Sequence, residues 1–141
     1  MQDISRIPIV ELQGNLLVSL QGELSDRLVA QIKDDVTNRI ARTRVDGLVI
    51  DVSGIEIMDS YISRSILDVG MMAKLMGVNT VISGMDPMIA MTLVEMGLDF
   101  SGVMTELNLD TAVERLQRAR RKRFARERAR GKGRGKVMGG G

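Results

Sequence analysis

Short runs of strand-forming residues alternate with longer helical patterns along most of this chain, and that alternation limits the fold more than any other feature. Two extended stretches come first, Pro8 to Gln13 and Asn15 to Gln21. Gly14-Asn15 is the expected tight turn between them, because both residues tolerate positive φ. Apolar residues then recur at Leu28, Ile32, Val36 and Ile40, with Val29 beside them. This spacing predicts an amphipathic helix capped by Ser25 or Asp26 and running to about Arg44. Asp46-Gly47 breaks the pattern, and Leu48 to Val52 reads as a buried strand. A second helix, from about Ser60 to Met76, repeats Ile62, Ile66, Val69, Ala73 and Met76 and is stopped by Gly77. Val78 to Ser83 reads as another strand.

Asp86-Pro87 then opens a helix, since Asp caps the first N–H groups and Pro lacks a donor the first turn would leave unused. That helix carries Ile89, Leu93, Val94 and Met96 and stops at Gly97. A short strand is expected around Val103-Met104, followed by a last helix capped by Asp110 that buries Val113 and Leu116. The expected architecture is an α/β domain: a mixed, mostly parallel sheet with an N-terminal antiparallel hairpin and flanking helices.

Composition narrows the function. With no Cys and no His, the commonest general base, the thiol nucleophile and the soft metal ligands are missing. The expectation is a protein without enzymatic activity, catalytic residues, metal or cofactor. Asp51 and Asp59 lack a third acid or a phosphate-binding glycine loop, so they are not read as a magnesium site. Aromatic residues are limited to Tyr61, Phe100 and Phe124, too few for a folded base-stacking platform. The methionines between Met71 and Met96 read as core and helix-packing material, with some available for contact between subunits. No apolar run reaches the roughly 18–20 residues of a membrane span. The stretch Met1 to Arg6 has no signal-peptide pattern, so a cytoplasmic protein without membrane contact is expected.

Charge divides the chain. Of its 20 Lys/Arg and 18 Asp/Glu, 11 and 1 fall within residues 118–141, leaving 9 and 17 for residues 1–117. The body is therefore close to −8 and the C-terminal segment close to +10. Residues 1–117 are expected to form the domain. Residues 118–141, rich in Arg and ending in Gly139-Gly140-Gly141, are expected to be a flexible basic tail. Such a tail is a solvated extension or a binding element for nucleic acid or another polyanion.

Met58-Asp59-Ser60 lies where the central strand gives way to a helix. The hydroxyl of Ser60 is either an ordinary N-cap or an exposed acceptor at a helix N-terminus, where backbone N–H groups favour a phosphate. Asp59 is either the true cap or a recognition element. Asp51 and Ser53 end the central strand, at the edge where open α/β sheets tend to bind ligands. Ser63, Ser65 and Thr92 are further hydroxyls, but each falls inside a predicted helix and ranks below Ser60.

Seven segments occur in order over about residues 7–117: Ile7-Pro8-Ile9, Leu16 to Leu20, Gly47 to Asp51, Met58-Asp59-Ser60, Ala73 to Gly77, Ser83 to Pro87 and Thr92 to Gly97. With them the chain resembles the STAS family, the sulfate transporter and anti-sigma-factor antagonist domains. Within it, the resemblance is to the RsbS group, small antagonist and scaffold subunits of the bacterial stressosome. The short stretch before Ile7 fits that group better than RsbR-type partners with their long N-terminal sensory domain.

The resemblance implies a STAS (SpoIIAA-like) fold and phosphorylation of Ser60 by a partner kinase, with Met58, Asp59 and Tyr61 as partner-binding neighbours. It also implies a homo- or hetero-oligomer with RsbR-like STAS co-antagonists. That assembly would hold an RsbT-like serine kinase until phosphorylation releases it, and a PP2C-like phosphatase would reset it. Two alternatives stand beside this. One is a stand-alone anti-anti-sigma factor that binds an anti-sigma kinase. The other is nucleic-acid or polyanion binding through the tail.

Overall fold

The computed structural model describes residues 7–139, with side chains described to residue 131. The elements follow in the order β1 (Ile9–Leu12), β2 (Asn15–Gly22), α1 (Asp26–Arg42), β3 (Gly47–Ile55), α2 (Ser60–Leu75), β4 (Asn79–Ser83), α3 (Pro87–Glu95), β5 (Met104–Glu106) and α4 (Leu109–Gly139). They build one sheet of order β1-β2-β3-β4-β5. β1 and β2 are antiparallel, and β2 through β5 are mutually parallel. The expected mixed sheet with an antiparallel hairpin is borne out.

The hairpin turns one residue earlier than expected. Gln13 and Gly14 both have positive φ, at 52° and 81°, and Leu12 pairs with Asn15 across the turn. Asn15 is therefore the first residue of β2, and it is buried. Two consecutive positive φ values match the twist of a two-residue hairpin loop.

Alternation along each strand assigns the core to two faces. Leu16, Val18 and Leu20 of β2 join Leu48, Ile50 and Val52 of β3 and Ile82 of β4 under α1 and α2. α1 contributes Val29, Ile32, Val36 and Ile40, and α2 contributes Ile62, Ile66, Val69 and Ala73. Leu28, expected in the buried stripe of α1, is only partly buried against this cluster, as is Met58. On the opposite face, Val49 and Val81 pack against Ala112 and Leu116 of α4. β3 is thus covered on both sides, as a central strand of a parallel sheet requires.

The structure corrects several expectations at the sequence level. α3 buries Leu93 alone, while Val94 is 69% and Met96 52% exposed. A nine-residue helix beside the end strands has too little sheet beneath it to cover a full stripe. Met76 is likewise exposed at the end of α2. The methionines between Met71 and Met96 are mostly on the surface: Met71, Met88 and Met91 are exposed, and of this group only Met72 and Met85 lean on the core. α4 is capped by Asn108, whose side chain accepts from the Thr111 N–H at 3.0 Å, so Asp110 sits in the first turn instead. The proposed division at residue 117/118 falls inside α4, which continues as helix to Gly139. Arg, Lys, Glu and Ala, which dominate Arg118–Arg130, are good helix formers.

Leu116 holds this helix to the sheet and is 3% exposed. Leu116→Ala is expected to cost about 2–4 kcal/mol in urea unfolding, through lost burial plus the cavity left behind. A loss below about 0.5 kcal/mol would mean that α4 does not pack on the sheet, since surface substitutions stay within that range.

Candidate functional site

Because β2, β3, β4 and β5 are parallel, the helices that follow them all begin at one edge of the sheet, the C-terminal edge of those strands. Acidic residues mark that edge: Asp26 opens α1, Asp59 caps α2, Asp86 caps α3 and Asp110 lies in the first turn of α4. Asp51 lies where β3 leaves its pairing with β4, although β3 runs on past the expected end at Asp51 and Ser53 to Ile55. Glu56 follows β3, and Glu106 closes β5. Basic residues gather at the other ends of the helices, with Arg39 and Arg42 in the last turn of α1 and Lys74 in that of α2. Each arrangement suits its helix dipole.

Ser60 stands on the acidic edge. β3 ends at Ile55, and the Glu56 N–H donates to the Gly22 carbonyl at 3.1 Å, tying the connecting loop to the end of β2. Asp59 is extended, with φ −88° and ψ 179°, and its carboxylate accepts from the Ile62 N–H at 2.8 Å. Its carbonyl accepts from both the N–H and the hydroxyl of Ser63, at 3.0 and 2.7 Å. Asp59 is therefore the N-cap, and Ser60 is the first helical residue, exposed and free of the capping role. A hydroxyl at this position lies beside N–H groups that the first turn leaves without intrahelical partners.

The neighbours differ in what they offer. Tyr61 is 44% and Ile57 58% exposed, so both present apolar surface next to Ser60. Met58 is half-buried against the core and supports the loop from beneath. The other candidate hydroxyls separate clearly. Ser63 and Ser65 are buried and cannot reach a kinase active site without unfolding the helix. Thr92 is exposed, but its hydroxyl donates to the Met88 carbonyl at 3.0 Å within α3.

A second polar group at this edge was only half visible in the sequence. Asp51 accepts from the Ser53 hydroxyl at 2.9 Å and from the Ser83 hydroxyl at 3.1 Å, and Ser83 is fully buried. Gly84, with φ +78°, closes over them, and a Cβ there would come within 2.7 Å of the Ser53 Cβ and 2.9 Å of the Asp51 carboxylate. Asp51 and Ser83 are paired in the β3–β4 register. Aligning the two strand ends would have revealed the partner. The arrangement is a closed hydrogen-bonded brace between strands, with the Asp51 carboxylate committed to hydroxyl donors.

Asp59→Ala is expected to destabilise the fold by about 1 kcal/mol in urea unfolding, the usual loss for an N-cap. Ser60→Ala is expected to change stability by less than about 0.5 kcal/mol, as an exposed position should. Equal losses would contradict the assignment of Asp59 as the cap.

The model for the STAS domain matches residues 6–114. The RsbT co-antagonist protein RsbRD of Bacillus subtilis (strain 168) is 35% identical over 107 residues, covering 75% of this chain and 38% of that protein. The chain thus spans well under half the length of that relative. Among solved structures, a serine-to-glutamate variant of RsbS from Moorella thermoacetica is 35% identical, with a TM-score of 0.75. The match covers 83% of this chain and 99% of that one. A chain from the molecular architecture of the stressosome, described as a signal integration and transduction hub, is 33% identical, with a TM-score of 0.70. It covers 81% of this chain and 99% of that one.

Proposed function

The chain belongs to the STAS family, and from that premise we propose that it is a non-enzymatic regulator of the RsbS type, switched by phosphorylation of Ser60. In its unmodified state it holds an RsbT-like serine kinase, together with RsbR-like STAS co-antagonists in a cytoplasmic oligomer. Phosphorylation releases the kinase, and a PP2C-like phosphatase restores the hydroxyl. The observation that carries this reading is the division of labour at the start of α2: Asp59 caps the helix, and Ser60 is left exposed at its first position.

The physics of the switch follows from that geometry. Phosphorylation adds about −1.5 to −2 charge near pH 7. The free N–H groups and positive dipole end of α2 stabilise it locally, so modification does not require the helix to unwind. The surrounding acids, Asp59 and Glu56 above all, place the new charge in an already negative field. A partner surface that packs against a neutral hydroxyl and the exposed Tyr61 and Ile57 would have to desolvate the phosphate on rebinding. A penalty of about 1.4 kcal/mol already weakens binding tenfold. No activated serine is needed, since the kinase supplies the base and the nucleotide. Exposed Met88, Met91 and Val94 on α3 add support for assembly, since adaptable apolar side chains suit contacts between subunits.

Incubation with the cognate kinase and ATP should label the wild-type protein and leave Ser60→Ala unlabelled, read by mass spectrometry of the intact protein. Labelling of Ser60→Ala to the wild-type extent would sink the assignment. Ser60→Asp, which carries part of the phosphate's charge, should retain less kinase in a pull-down than wild type.

A further inference from the structure

α4 does more than cover the sheet. It begins at the acidic edge and runs back across the face formed by Val49 and Val81, so it leaves the body at the opposite end from Ser60. A clamp fixes its exit. The Arg120 guanidinium donates to the Gln13 carbonyl at 2.8 Å and pairs with the Asp46 carboxylate at 3.3 Å. Gln117 adds a hydrogen bond to the Gln13 side chain. Gly14, with φ +81°, leaves room for that guanidinium, which a Cβ would push aside. Phe124 lies under Arg120, its ring centre 5.8 Å away. Beyond the clamp, residues 121–131 are all exposed, and the helix continues to Gly139, a further length of about 28 Å at 1.5 Å per residue.

This projecting segment is basic over most of its circumference. Beyond the clamp, six Lys/Arg and one acid, Glu127, lie between Arg121 and Arg130. Successive residues turn by about 100°, so these charges spread over an arc of about 220° and leave a narrower stripe with Phe124 and Glu127. An anionic membrane surface would need an apolar face, and Phe124 is the only large apolar residue between Arg118 and Arg130. A flat acidic protein surface would meet one side of the helix and leave the other charges unused. A single strand would need stacking aromatics, and Phe124 is already engaged with Arg120. A groove lined by phosphates on both walls uses an arc of charge this wide.

We propose that the projecting part of α4 binds double-stranded DNA through its phosphates, at the end of the molecule opposite the phosphoacceptor. A helix about 10–12 Å across fits a major groove about 12 Å wide. The deep, narrow major groove of duplex RNA does not admit it. The contacts proposed are to phosphates, which carry no sequence information, so binding is largely independent of sequence. The site does not depend on Ser60 or on kinase binding.

Fluorescence anisotropy of the full-length protein with labelled 20-base-pair DNA duplexes of two unrelated sequences tests this between about 50 and 200 mM salt. Both duplexes should bind alike, with log K falling linearly against log salt. The variant Arg121→Gln/Lys122→Gln/Arg126→Gln/Arg128→Gln keeps good helix formers in place. Its slope should be shallower by about 3–4, at about 0.9 per lost phosphate contact, and its affinity at least tenfold weaker, with an unchanged circular dichroism spectrum. Failure of the wild type to bind at about 50 mM salt, or an unchanged slope in the variant, overturns the proposal. So does equal or tighter binding to single-stranded DNA, duplex RNA or phosphatidylserine-containing vesicles.

Discussion

Burial of β3 on both faces is the constraint from which the other elements take their positions. Leu48, Ile50 and Val52 point to α1 and α2, while Val49 points to α4. A strand placed in this way has no polar face to offer water, so it needs a parallel partner on each side and a helix layer above and below. β2 and β4 supply the pairing through matched registers, from Leu16–Leu48 to Ser19–Asp51 on one side and from Leu48–Thr80 to Asp51–Ser83 on the other. Each parallel pairing demands a return helix, α1, α2 or α3, and with α4 after β5 this brings four helix starts to a single edge.

The electrical character of the molecule is a consequence of that topology. Helix starts favour carboxylates as caps and first-turn residues, and helix ends favour cations, so stacking the starts together creates an acidic end and a basic end. Ser60 belongs to the acidic end. Its exposure follows from one choice of capping residue, since Asp59 satisfies the Ile62 N–H and the serine hydroxyl is left unused. The basic end gains its reach from α4, which the Arg120 clamp anchors to the hairpin turn and to Asp46. A phosphate added at the acidic end and a polyanion bound at the basic end would act on opposite poles of the same body.

Much of this was legible in the sequence. The stripe Ile32, Val36 and Ile40 and the repeat Ile62, Ile66, Val69 and Ala73 marked helices whose buried faces the structure confirms. Both patterns come from long elements on a broad sheet, where burial and periodicity agree. Shorter elements misled. α3 shows the apolar spacing of a buried helix, yet only Leu93 reaches the core. The turn at Gln13-Gly14 was missed by one residue, because positive φ at a Gln is rarely signalled by composition. The choice between Asp59 and Ser60 as cap, and between Asn108 and Asp110, rested on side-chain geometry that adjacent favourable residues leave open. The Asp51–Ser83 brace depended on strand register, and the helical course of Arg118–Gly139 on local propensity outweighing scattered glycines.

The central claim is that charge on Ser60 sets kinase affinity. Titrating the cognate kinase against unmodified protein and against protein carrying phosphoserine at position 60, at physiological salt, measures it directly. The account predicts binding at least tenfold weaker for the phosphorylated form, with the fold and helix content of both forms unchanged. Equal affinities for the two forms would contradict it.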